Sequence, residues 1–206
     1  MKSRMRKEAG FTDFLKGAEE AMKSIDIMVK EHDNILRMLK VVRKACYGLL
    51  KGGEPDYEDF YDMIDFIKGY ADSHHHGKEE KFLFKEMQEN LGKLAENLIS
   101  HGMLVEHDYG RLYIRELTEA LKRVKSGDEE SKLDVISNAI GYTSLLERHI
   151  AKENNAVYGF GERNLPKEIL EVLDAKSEEF EKAAEEKGVQ KYYLDLLDRL
   201  EKKYIS

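Results

Sequence analysis

A single cysteine, two prolines and no tryptophan stand among 206 residues, and each scarcity closes off a class of protein. With only Cys46, an internal disulfide is excluded, as is a thiolate zinc site of the four-cysteine kind. Cys46 falls on an apolar helical stripe and reads as a buried packing thiol. The shortage of proline, set beside abundant Glu, Lys and Leu, points to an all-helical chain. No stretch approaches the roughly 18 apolar residues of a membrane-spanning helix. Positive charge is in deficit: 34 Lys and Arg against 41 Asp and Glu leave a net charge of −7, which repels a phosphate backbone and an anionic membrane. The basic cluster Lys2, Arg4, Arg6 and Lys7 has no apolar run behind it, so residues 1–18 read as a solvated tail and not as a signal peptide. A cytoplasmic protein with no nucleic-acid or membrane partner is expected.

At this length roughly 70% of the unfolded chain's surface can be buried, enough for a core without staples. Apolar residues recur three and four positions apart along four long stretches, the period of a helix face in a bundle. The first, residues 19–50, carries Ile25, Met28, His32, Ile35, Leu39, Val42, Cys46 and Leu49. Pro55 opens the second, residues 57–90, whose stripe of Phe60, Ile64, Ile67 and Ala71 leads on to His75, Glu79 and Phe82. The third ends near Lys125 and carries Met103, His107, Gly110, Ile114, Leu117, Leu121 and Val124. Gly110 within it suggests a close helix approach or room for a ligand. The fourth, residues 128–160, carries Val135, Ala139, Tyr142, Leu146, His149, Glu153, Ala156 and Phe160, and Gly159 and Gly161 are expected to break it. Two shorter helices separated by Gly188 follow over residues 161–206, a hairpin that packs on the bundle or on a second copy in a homo-oligomer.

Each of the four seams carries a histidine, and two add a glutamate four residues on: His75 with Glu79 and His149 with Glu153. Residues four apart stand one above the other on a helix, so each pair offers an imidazole and a carboxylate to a common point. That donor set suits iron, zinc or manganese. A lone histidine on an apolar face is more often a hydrogen-bonded core residue. Two buried carboxylates are a different matter, because burying them without countercharge is expensive. No Lys or Arg recurs on these seams, so a pair of metal ions is the economical answer. Counted at about 100° per residue, His76 and Glu80 fall opposite the early stripe and should face water, and Glu31 should face away from the seam of His32. His74, aligned with Lys78, and His101, off its seam, read as surface or outer groups. Arg111 reads as the partner of an acid, and Tyr142 as a packed tyrosine able to hydrogen-bond a bound oxygen species.

At Glu31-His32-Asp33, at His75-His76-Gly77-Lys78-Glu79-Glu80 with Phe82-Leu83-Phe84, at Glu106-His107-Asp108 with Gly110-Arg111, and at His149 to Asn154, the chain resembles the hemerythrin-like, or HHE cation-binding, family. The resemblance spans about residues 20–160 in the family's order. It implies an up-down-up-down four-helix bundle with a metal site in its core. It also implies two non-heme Fe ions, oxo- or hydroxo-bridged, held by His32, His75, His107 and His149, with Glu79 and Glu153 as bridging carboxylates. Met103 stands where the oxygen-carrying members have a further histidine. Asn154 stands where they have an aspartate. Four matched histidines imply two nearly symmetric irons, each with an exchangeable position, and leave a gap for His74, His76 or Tyr142.

Three functions follow from such a centre. One is dioxygen binding for sensing, scavenging or carriage, favoured by the histidine-rich donor set. Another is an enzyme acting on peroxide or nitric oxide, which open coordination positions would permit. The third is an iron-storage or iron-responsive module coupled through the last two helices.

Overall fold

A computed structural model describes residues 23–205; the tail over residues 1–18 and the start of the first helix lie outside them. The described chain is helical, with no strand among its residues. Four long helices come first: α1, Lys23–Leu50; α2, residues 57–90; α3, residues 92–125; and α4, residues 132–164. Two shorter ones follow, α5 at Lys167–Glu186 and α6 at Val189–Tyr204. Asp56 caps α2 by accepting from the Asp59 N–H at 3.3 Å, which satisfies one of the first-turn donors and fixes the start beside Pro55. Gly188 takes a left-handed φ of 71° between α5 and α6, a conformation that costs glycine nothing. No described helix is long and apolar enough to cross a membrane.

α1 packs on α4 and α2, and α3 packs on α4 and α2, which makes a helical bundle. α5 and α6 lie against α1 and α2. The bundle core is divided. One apolar cluster gathers Ile35, Leu39, Ala71, Ile114, Leu121, Ala139 and Leu146; the other gathers Met28, Leu83, Phe84, Ile99, Met103 and Val157. Between them lies a buried polar layer containing His32, His75, His76, Glu79, His107, His149 and Glu153. Each long helix contributes residues to both clusters. Cys46 is buried, and burial pushes its thiol up to about 12.

Near the polar layer the winding of α2, α3 and α4 loosens. Ile67–His76, Glu79–Leu83, Ile99–Met103 and Glu153–Val157 are π-helical. Hydrogen bonds that skip five residues turn the chain less per residue than those that skip four, and such segments recur at functional sites. The glycines expected to stop α4 lie inside it. A Cβ at Gly161 would sit 3.0 Å from the Met87 sulfur and 3.2 Å from a Leu83 methyl, so this glycine admits the end of α2. The helix continues to Asn164, before Pro166.

Candidate metal centre

Each helix brings its donors to the polar layer by its own winding. His32 sits on the regular seam of α1, His107 on α3 and His149 on α4. The π-wound stretch of α2 turns three consecutive histidines, His74, His75 and His76, out of contact with solvent. His76 therefore does not face water: the looser winding delays its rotation and carries it inward, where its ring stacks on His107 with centroids 3.8 Å apart.

The outer nitrogens are tied down in a ring of hydrogen bonds that runs once around the bundle. His75 Nδ1 meets Glu31 of α1 at 2.8 Å, and His107 Nδ1 meets Glu80 of α2 at 2.8 Å. His149 Nδ1 meets Glu106 of α3 at 2.8 Å, and His32 Nδ1 meets the Asn154 side-chain oxygen of α4 at 2.7 Å. Every one of these acceptors is the chain neighbour of a core His or Glu on its own helix, and each serves the next helix. A fifth, weaker contact joins His76 Nδ1 to Asp72 at 3.4 Å. With the ring proton held at Nδ1 by the outer acceptor, a neutral imidazole turns the Nε2 lone pair inward, the arrangement that orients metal-binding imidazoles.

Inside, Glu79 and Glu153 lie between the rings, both fully buried. Glu79 Oε2 is 3.7 Å from His75 Nε2 and 3.6 Å from His107 Nε2. Glu153 reaches both sides: Oε2 is 3.2 Å from His32 Nε2, and Oε1 is 2.9 Å from His149 Nε2. Tyr158 donates its hydroxyl to Glu79 Oε1 at 2.5 Å and stacks on His32 at 5.5 Å. The donor atoms fall into two groups, each within 4.8 Å: His76, Glu79, His107 and His149, and His32, His75, Glu79 and Glu153. Glu79 belongs to both. The donors thus divide into three histidines and two, not into the symmetric pairs expected when His76 was placed in water.

Protons alone satisfy this layer poorly. Burial and the neighbouring Glu153 charge hold the Glu79 carboxyl well above its usual range. Burial would raise Glu153 too, but the His149 and His32 rings beside it outweigh that and hold it well below. Burial and then the nearby His32 ring push His75 down to about 4, whereas His149 rises to about 9 against its burial because Glu153 and Glu106 flank it. Among the described residues, His75 Nε2 and Glu79 Oε2 have no hydrogen-bond partner, and the two Glu153 oxygens meet only the ring nitrogens of His149 and His32. Buried polar atoms are seldom left so, and cations placed among these lone pairs would satisfy all of them. The chain's donors fit a metal pair.

Of the remaining residues singled out in the sequence, His74 is buried but stands outside both groups, against Glu31 at 3.0 Å and Glu181 at 3.2 Å. His101 is exposed. Arg111 pairs with Asp72 at 2.8 Å and Glu80 at 2.7 Å. Tyr142 is buried, its hydroxyl has no partner among the described residues, and it lines a cavity of about 250 Å³ together with Asp72, His76, His107, Gly110 and Arg111. A Cβ at Gly110 would meet the Tyr142 ring at an ordinary 3.5 Å, so no close helix approach requires this glycine; it keeps the cavity open. Glu31, expected to face away, is buried by α5, and Tyr158 and the ring of outer acceptors had no periodic signal of their own.

A helical bundle with histidines and carboxylates converging between two apolar clusters is the build of a cation-binding bundle protein. The hemerythrin HHE cation-binding domain family matches residues 23–160, and the chain belongs to that family. Comparison with curated proteins and with solved structures gives no match.

Proposed function

We propose that this chain is a non-heme diiron protein that binds dioxygen at the layer between its two apolar clusters, in an up-down-up-down four-helix bundle. Along the chain each long helix meets the two clusters in the opposite order to the one before it, which supports the topology. The observation that carries the metal reading is the pair of donor groups sharing Glu79, with Glu153 reaching into both. His76, His107 and His149 would hold one iron and His32 and His75 the other, with Glu79 and Glu153 spanning them. Imidazole and carboxylate together suit iron, and the excess of imidazole keeps the site less anionic than an all-carboxylate one. Bound there, a diferrous pair supplies the electrons that a dioxygen ligand draws on.

The chain's own residues set the conditions. The outer acceptors hold five imidazoles in one tautomer, and Tyr158 holds one Glu79 oxygen. The apolar clusters above and below exclude water, which strengthens every charge interaction within. Two histidines on one side against three on the other leave the His32 and His75 side with fewer protein donors, and there an exchangeable position is expected. The cavity beside His76, His107 and Tyr142 offers space for a small molecule next to the centre.

Anaerobic loading with ferrous iron, metal analysis and an optical spectrum after exposure to air test this. Two irons per chain and the charge-transfer absorption of an oxidised diiron pair are expected, both lost in His149→Ala. Steady turnover of peroxide or nitric oxide, above free iron and absent from His149→Ala, would replace dioxygen binding by an enzyme. One iron per chain or less would remove the diiron reading.

A further inference from the structure

We propose that Lys78 and Glu181 are positioning residues of the metal centre, and that α5 and α6 are thereby a working part of it. The inference rests on the metal reading above, and its Glu181, Gln190 and Tyr193 lie beyond the part of the chain that the family match covers.

Glu31 stands at the junction. Its Oε2 takes the Nδ1 of His75 at 2.8 Å, which fixes the tilt of that ring. Its Oε1 meets His74 Nε2 at 3.0 Å and the Lys78 ammonium. Lys78 is 1% exposed, an extreme burial for lysine, and its second partner is Glu181 of α5. His74 also reaches Glu181, at 3.2 Å. Gln190 of α6 donates to the other Glu181 oxygen at 2.9 Å. A continuous polar path therefore runs from His75 through Glu31, Lys78 and His74 to both C-terminal helices. Glu31, His74 and Glu181 could by themselves hold a cation, but the Lys78 ammonium already supplies that charge, so we assign no third metal there.

A second contact holds the same stretch of α2. Gly69, inside the π-wound segment, lies under Tyr193 of α6: a Cβ there would fall 1.7 Å from the tyrosine oxygen. Tyr193 in turn packs on Phe66 at 5.9 Å and on Tyr70 at 6.2 Å. α6 thus braces the loosely wound segment from outside while α5 supplies Glu181 from the flank. A π-wound segment is more easily rewound than a regular helix, and the register of His75, His76 and Glu79 depends on it. Removing the brace should loosen the donors it positions, and the effect should be uneven. Glu31 serves His75, so the His32 and His75 side responds, whereas His107 and His149 are oriented by Glu80 and Glu106 and keep their grip.

The test uses the full chain titrated anaerobically with Co(II), with bound cobalt counted by metal analysis at each free concentration so that the two binding steps are read separately, in the parent and in Lys78→Met, Glu181→Gln and Lys78→Arg. The parent should take two cobalt ions. Lys78→Met and Glu181→Gln should weaken one position about tenfold, the lower end of the range for losing a group that orients a ligand, with the other unchanged. Lys78→Arg should restore the parent behaviour, and amide exchange over residues 67–83 should quicken in the two weakened variants. Glu181 is only half-buried and glutamine keeps its volume, so this variant decides the matter if Lys78→Met does not fold. Two cobalt ions bound with parent affinity in Glu181→Gln would overturn this inference alone. A parent that binds no cobalt would overturn the metal reading and this inference with it.

Discussion

Glu79→Gln separates what this carboxylate does for the metal from what it does for the fold. Glutamine has nearly the same volume and can still accept from Tyr158, but it carries no charge to set against a cation. In the metal-free protein the ionised form of Glu79 is already disfavoured by burial and by Glu153. Its replacement by a neutral isostere should change stability by no more than about 1 kcal/mol. The metal-loaded protein responds differently, because Glu79 faces both donor groups, 3.7 Å from His75 and 3.6 Å from His107. At free metal about 1,000-fold above Kd, binding contributes about 4.1 kcal/mol to stability. If loss of the shared carboxylate weakens binding about 100-fold, the same metal concentration is only about tenfold above Kd and contributes about 1.4 kcal/mol. With about 2–4 °C per kcal/mol for a chain of this size, metal should raise the parent Tm by about 8–16 °C and the variant Tm by about 3–6 °C. Calorimetric scans of both proteins with and without metal give the four numbers needed. An unchanged metal-dependent rise in Glu79→Gln would refute the reasoning, and so would a metal-free variant several kcal/mol less stable than the parent.

Two further outcomes are expected. His76→Phe, which keeps the stack on His107 but removes a donor, should lower metal stoichiometry from two toward one with the fold intact by circular dichroism; two ions bound as in the parent would place His76 outside the centre. Asp59 is buried under α6, where burial would raise its carboxyl but Lys203, Tyr204 and Arg199 together hold it below the usual aspartate range. A depressed folded-state value contributes stability above the ordinary range and loses it as pH falls. Asp59→Asn should therefore cost about 1–3 kcal/mol at neutral pH, and the gap to the parent should close on acidification; a gap independent of pH in denaturant titrations would contradict this.

Seam position made most of the converging donors legible, His75 and Glu79 included although their stretch of α2 is π-wound. His32, His107, His149 and Glu153 fall on seams of period 3.6, and the structure brings them to one layer. Regular winding counted through Ile67–His76 puts His76 in water, and the looser winding there buries it, whereas Glu80 stays partly exposed as expected while one of its oxygens reaches His107. No local composition marks that change, and the packing of Tyr193 over Gly69 in the same segment is visible only in the fold. Glu31 was misplaced for another reason: its face of α1 is covered by α5, and only the tertiary arrangement shows Glu181 and Lys78 meeting it. The outer acceptors did leave a trace. Glu31, Glu80, Glu106 and Asn154 each adjoin a core His or Glu, so the chain neighbour of one donor orients the donor of the next helix. Asn154, a departure from the oxygen-carrying relatives, is the acceptor for His32. The stop expected at Gly159 and Gly161 failed because Gly161 makes room for Met87 and Leu83.

The most direct test of the centre is anomalous diffraction at the iron edge from crystals of the loaded protein. Two peaks are predicted, one among His76, His107 and His149 and the other beside His32 and His75, with Glu79 and Glu153 reaching both. A single peak, or iron only at Glu31, His74 and Glu181 or on the surface, would contradict the account.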